Sequence, residues 1–204
     1  FRRSRGLGDV YKRQMRDWSG QLIFNKKIYG REKELNSILN TYQNIQKTRQ
    51  RLTPFHILIS GHSGDGKSSV LNAAINQLNS KNATLISAGC TPQRKNVPHA
   101  VLKDAFKTWW AKSRNFNAEW LENLVAEIKT NHPELPAILA DLIPDLVDNS
   151  LPSEHSSLPR GIHAKNRLQE AFNTFLETLI RQSSQPVVIA VDDFQWADNA
   201  SVSL

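Results

Sequence analysis

Nine consecutive residues, Gly61-His62-Ser63-Gly64-Asp65-Gly66-Lys67-Ser68-Ser69, constrain this chain more than any other stretch. They fit G-x-x-x-x-G-K-[ST] through Gly61, Gly66, Lys67 and Ser68. Gly61, Gly64 and Gly66 open backbone conformations closed to other residues, so successive N–H groups can turn inward around a polyphosphate. Lys67 brings a positive charge to the outer phosphates, and the Ser68 hydroxyl can ligate Mg²⁺. The alternative is a chance match in a glycine-containing turn. Average residue usage gives that a frequency of roughly 1% in a chain of this length. Context argues against it: Phe55–Ser60 (FHILIS) is an apolar run with the length of a buried strand. A helix is expected from about Gly66 to Leu78, with Val70, Leu71, Ala74, Ile75 and Leu78 as its apolar stripe. Strand, glycine turn and helix in that order are what the motif requires, because the helix N-terminus adds to anion binding. Gly61, His62, Ser63, Gly64, Asp65, Gly66, Lys67, Ser68 and Ser69 are therefore the expected contacts of a nucleotide bound with Mg²⁺.

The remaining pattern predicts an α/β domain. A helix is expected over Tyr29–Arg51, with Leu35, Ile38, Leu39, Tyr42 and Ile45 on one face and Pro54 beyond its end. Ala83–Gly89 reads as a second strand. A basic, proline-containing loop follows over Thr91–Pro98. A long helical region covers His99–Asp148, divided by Pro133, Pro136 and Pro144. A polar loop over Asn149–Gly161 precedes a helix over Ile162–Gln182. Pro186–Asp193 reads as a third buried strand. Strands alternating with helices imply a mainly parallel sheet.

That third strand ends in two carboxylates. A parallel strand delivers its C-terminal end to the crevice where such sheets bind ligands. Asp192 there would hold Mg²⁺ in the manner of a Walker B aspartate, and Asp193 would orient or deprotonate the attacking water. The alternative is a strand ending at a solvated acidic turn. Lys67 and Asp193 are thus the catalytic candidates, and Ser68 and Asp192 the metal candidates.

Composition narrows the class without deciding it. Apolar residues are 39% and charged residues 22% of 204, which excludes low-complexity disorder. The single cysteine, Cys90, excludes an intrachain disulfide and a cysteine-rich zinc site, and suggests a reducing, cytoplasmic setting. No apolar run approaches a membrane span. The net charge of +7 invites a nucleic-acid partner, but Arg2, Arg3, Arg5, Lys12 and Arg13 stand against Asp9 alone in the first fourteen residues. That stretch carries +4 and resembles translated sequencing-adaptor sequence. It is read as non-native and set apart from the fold, with 15–26 as a linker and 27–204 as the domain. The remaining charge makes no strong case for nucleic acid.

With these residues in place, the chain resembles a known family. KIYGREKEL (Lys27–Leu35), SGHSGDGKSSV (Ser60–Val70) and VDDFQWADNAS (Val191–Ser201) look like three blocks of the AAA-like, signal-transducing bacterial ATPases with numerous domains. The chain is similar to the ATPase module found between a serine/threonine kinase domain and a sensor histidine kinase. NVPHAVLKDAF (Asn96–Phe106), IPDL (Ile143–Leu146) and AKNRLQEAF (Ala164–Phe172) share that similarity. The resemblance implies a three-layer P-loop sandwich, here with a helical insertion between strands 2 and 3. It implies Tyr29, Gly30 and Arg31 near the adenine, with Glu32 opening the first helix. It also implies a strand order 5-1-4-3-2, so the pattern reads as a domain cut before strands 4 and 5. An open slot in the sheet and weak activity in isolation are expected from that.

The implied function is ATP binding and Mg-dependent hydrolysis as a regulatory switch, with covalently attached kinase or other signalling domains as partners. Rivals are the ATPase module of a transcriptional regulator or adenylyl cyclase, and a scaffold that holds ATP without turnover. Blander roles are expected elsewhere: a solvated His62, a buried structural Cys90, a solvated Arg94 and Lys95, and a packing role for Trp196. His56, His99, His132, His155 and His163 show no metal spacing. Adjacent Trp109 and Trp110 are not expected to share one core, so one of them should lie at an interface with a neighbouring helix or domain.

Overall fold

The structure is a computed structural model that describes residues 30–48, 54–81, 83–147 and 162–204. The adaptor-like stretch, the linker, Tyr29 and the 149–161 loop lie outside the described residues. The first helix, α1, spans Glu32–Thr48. It starts after Gly30, whose φ of 76° is left-handed. Glu32 and Glu34 sit in its first turn and Lys47 in its last, each charge complementing the helix dipole. Of the expected stripe, Leu39 and Tyr42 are buried and pack with Leu78. Helix α2, Lys67–Ser80, buries Val70, Ala74 and Leu78 as the spacing implies. It lies beside α1.

Strand β1 (Thr84–Gly89) and strand β2 (Val187–Asp192) pair in parallel, in register from Thr84 opposite Val187 to Gly89 opposite Asp192. The Cys90 N–H continues the ladder to the Asp192 carbonyl at 3.0 Å. This matches the expected second and third strands. The expected first strand is not one: residues 54–60 form no ladder, and Phe55, Ile57 and Leu58 are 55%, 50% and 85% exposed. A parallel strand exists only where neighbours take its N–H and C=O groups. Among the described residues β1 and β2 pair only with each other, so the segment runs to the phosphate loop without a partner. The same lack of a neighbour leaves Ile189 of β2 44% exposed, where a fully buried strand was expected.

The core lies on the helical side. Helix α3 (Ala100–Phe116) packs on β1, and helices α4 (Ala118–Asn131), α5 (Leu135–Leu139) and α6 (Ile162–Gln182) close around it. Pro136 stands in the first turn of α5, where its missing N–H has no intrahelical acceptor to lose. The long helical region also breaks at Asn117 (φ −154°, ψ 62°), a division the prolines do not mark. Phe106 is fully buried and makes edge-to-face contacts with Trp109, Phe172 and Phe175 at 5.6–6.1 Å. Trp109 and Trp110 are 4% and 2% exposed and belong to one cluster. The expectation that they would not share one core is thus corrected, while the expected contact with a neighbouring helix is present. Helix α3 is enclosed by both sheet and helices, so its apolar arc is wider than a single stripe, and Trp120 of α4 packs edge-on against Trp109. After β2 come a single 3₁₀ turn, Phe194–Trp196, and a short helix, α7 (Asn199–Val202). Among the described residues no helix is long and apolar enough to cross a membrane.

Candidate functional site

The glycine-rich turn joins residues 54–60 to α2 and faces the C-terminal end of β2. Gly66 takes φ 79°, ψ 23° at the N-cap position, a left-handed conformation that suits glycine. No side chain caps α2. The first intrahelical bond is from Val70 N–H to the Gly66 carbonyl at 3.0 Å, so the N–H groups of Lys67, Ser68 and Ser69 precede the helical ladder. The turn is braced from within. Asp65 accepts the His62 N–H on Oδ2 at 2.7 Å, and a Cβ at Gly61 would sit 2.8 Å from that same oxygen. Any larger residue at Gly61 would displace the brace.

Lys67 arches back over the turn. Its Nζ donates to the carbonyls of Gly61 (3.0 Å) and His62 (2.7 Å), which holds the ammonium at the mouth of the loop. Ser68 Oγ donates to Asp192 Oδ1 at 3.1 Å, across 124 positions of sequence. The Asp193 N–H donates to that same Asp192 oxygen at 2.9 Å. Asp193 itself is left-handed (φ 53°, ψ 40°), and its Oδ1 accepts from Gln195 Nε2 at 2.9 Å. Together Gly61, Ser63, Gly64, Gly66, Lys67, Ser68, Asp193 and Gln195 line one cleft of about 580 Å³.

The candidate residues therefore divide. Lys67, Ser68, Asp192 and Asp193 converge on one place. His62 and Asp65 are exposed and act within the loop, while Ser69 is exposed and does not line the cleft. Gly30 donates its N–H to Glu32 Oε1 at 3.2 Å. Arg31 reaches the glycine-rich turn: Nη2 donates to the Asp65 carbonyl at 2.9 Å and Nη1 to Glu34 Oε1 at 2.8 Å. The Glu34 hydrogen bond and charge push the guanidinium pKa further up.

Two residues escaped the sequence reading. Asp198 is 2% exposed and accepts from the N–H groups of His99 and Ser201 (2.8 Å each) and from the Ser201 hydroxyl (2.6 Å). It ties the loop after β1 to the loop after β2. Burial raises its pKa, but the hydrogen bonds from Ser201, His99 and Val101 prevail and hold it below the ordinary value. The Asp198-x-x-Ser201 spacing, an N-cap pattern, was the available signal. His99 is left-handed (φ 57°), with an Nδ1 that is buried and has no hydrogen-bond partner. Burial lowers its pKa, against the pull of Asp198.

Arg94 and Lys95 are exposed, as expected of a solvated loop, and each also meets a partner. Arg94 pairs with Asp104, and Lys95 sits 5.6 Å over the half-exposed ring of Trp196. Cys90 is buried as expected. Burial raises its pKa, with added effect from Asp198, Asp193 and Asp192, and an inert thiol follows.

The donor set fits a hard divalent ion and a polyphosphate. Two adjacent carboxylates beside a serine hydroxyl form an oxygen site whose like charges favour a bound cation. Among the described residues no cluster of three or more His, Cys, Asp or Glu could cage a metal without such help. Mg²⁺ is commonly held that way, by one or two protein oxygens plus substrate phosphates.

Comparison with known proteins agrees with this geometry. A family model described as the AAA ATPase domain matches residues 27–204. The hybrid signal transduction histidine kinase G of Dictyostelium discoideum is 28% identical over 181 residues. That match covers 88% of this chain and 5% of the relative, so the chain spans a small part of the relative's length. No solved structure matches. The cleft and the extent of the family match together identify the chain as a member of the AAA ATPase domain family.

Proposed function

We propose that this domain binds ATP with Mg²⁺ at the Gly61–Ser69 turn and hydrolyses it as a switch within a multidomain signalling protein. The observation that carries the reading is the 3.1 Å contact between Ser68 Oγ and Asp192 Oδ1. It brings a hydroxyl and a carboxylate from opposite ends of the sequence to the mouth of an uncapped helix, beside Lys67. Gly64, Gly66 and the first N–H groups of α2 cradle the phosphates. Lys67 leaves its carbonyl partners for the outer phosphates, a stronger, charge-assisted interaction. Ser68 and Asp192 hold the metal, which supplies charge neutralisation at the phosphates. Asp193, already in the cleft, orients a water or accepts its proton.

The signalling role draws on the name of the Dictyostelium relative, a hybrid signal transduction histidine kinase. Attached kinase or other signalling domains are the corresponding partners. A second reading, a domain that holds ATP without turnover, is favoured by one observation: Asp193 stands where a longer glutamate is usual, and Gln195 engages its carboxylate. Two variants separate the readings by calorimetry and single-turnover assay in the intact protein. Lys67→Ala should weaken ATP binding at least about 30-fold, corresponding to roughly 2 kcal/mol for one charge-assisted contact. Unchanged affinity defeats both readings. Asp193→Asn should retain bound ATP while losing turnover. No turnover in wild type leaves only the scaffold, and equal measurable turnover in both removes Asp193 from the chemistry.

A further inference from the structure

Asp193 is held in its left-handed conformation at the edge of the cleft by two local contacts: its N–H bonds to Asp192 Oδ1 and its carboxylate to Gln195 Nε2. Gln195 is therefore no bystander in the turn after β2. It lines the same cleft as Lys67 and Ser68, and it is a neutral donor among charged groups. Its amide carries two N–H donors, and one is committed to Asp193. Lys67 is likewise committed to the carbonyls of Gly61 and His62. In the resting cleft, one Gln195 N–H and two of the three Lys67 donors thus already have acceptors within the site.

From this arrangement we infer that Gln195 is a positioning residue that reads the terminal phosphate of a nucleoside triphosphate. The inference rests on the nucleotide reading above and deepens it. A terminal phosphate brings oxygen acceptors with more negative charge than a single carboxylate. The Gln195 amide then donates to that phosphate, and the Asp193 oxygen it held becomes free to accept from water. A diphosphate lacks the group that competes with Asp193, so Gln195 stays where it is. Preference for triphosphate over diphosphate follows from this exchange, with no further cation required from the protein. The exchange also links occupancy to the rest of the turn, because the next residue, Trp196, lies under Lys95 of the loop after β1.

The test is calorimetric titration of Mg-ATP and Mg-ADP into the intact protein. Wild type is compared with Gln195→Ala and Gln195→Glu, and thermal unfolding of each variant serves as a folding control. Gln195→Ala should lower ATP affinity about 3- to 10-fold, the range for one ordinary net hydrogen bond, because the exchange trades one charged acceptor for another, and leave ADP affinity unchanged. Gln195→Glu keeps the size but sets a second carboxylate beside Asp193, and should cut ATP affinity further. A role confined to folding would move both affinities together. An unchanged ATP-to-ADP ratio in both variants, with wild type binding ATP, overturns the role of Gln195 alone. Absence of nucleotide binding in wild type overturns the nucleotide reading and this inference with it. Should Gln195→Ala fail to fold, the ATP-to-ADP ratio of Gln195→Glu decides on the same terms.

Discussion

Asp198 shows how one buried carboxylate can organise a site it does not line. It gathers the N–H groups of His99 and Ser201 and the Ser201 hydroxyl, so the loops that follow the two strands share one acceptor. Asp198→Ala would leave those donors unsatisfied in a buried place. A loss of about 2–4 kcal/mol is expected, read as a lower denaturant midpoint with an unchanged m-value. The same pair gives the fold a pH dependence. The His99 pKa is lowered in the folded state, so the unfolded chain takes up the proton more readily. Stability is then full above the ordinary histidine value of about 6.5 and declines as pH falls through and below it. Asp198, also lowered, adds a further loss only below the ordinary carboxylate range. His99→Asn tolerates the left-handed backbone and does not titrate. Chemical denaturation should show a flatter stability curve between pH 7 and 5 for this variant, and an unchanged slope would refute the assignment. Neither residue stood out in the sequence, because the contact that joins them spans 99 positions, and the local Asp198-x-x-Ser201 spacing signals only a helix cap. Lys67, Ser68, Asp192 and Asp193 did stand out, since their spacing follows directly from phosphate and metal chemistry.

At the scale of elements, the strand–turn–helix unit is legible from residue 61 onward and not before it. Helix α2 and strands β1 and β2 fall within a residue or two of their sequence positions, because apolar periodicity reports the face each buries. FHILIS carries the same apolar signal, yet it forms no ladder and exposes Leu58. Composition shows that a segment can pair; only its neighbours decide whether it does. Helix α3 poses the converse problem. Two adjacent tryptophans contradict a one-sided helix, and they are both buried because β1, α4 and α6 surround it. Phe106 is the centre of that packing, so Phe106→Ala should cost about 3–5 kcal/mol and lower the thermal midpoint accordingly. A loss under about 1 kcal/mol would mean the aromatic cluster collapses onto the gap.

At the scale of the molecule, a helical core and a two-stranded parallel sheet meet at one cleft, and the cleft gathers the groups that phosphate chemistry needs. Of the net charge of +7, which first suggests nucleic acid, +4 belongs to the first fourteen residues. The family match spans the glycine turn and both strands, and the relative's name supplies the proposed signalling context. The central claim is that Ser68 and Asp192 hold Mg²⁺ on a nucleotide bound by the Gly61–Ser69 turn. Calorimetric titration of ATP with and without Mg²⁺, into wild type and Ser68→Ala, tests it most directly. Mg²⁺ should strengthen ATP binding by about tenfold or more in wild type, or ~1.4 kcal/mol, and by much less in Ser68→Ala. An equal effect of Mg²⁺ on both proteins would contradict the claim.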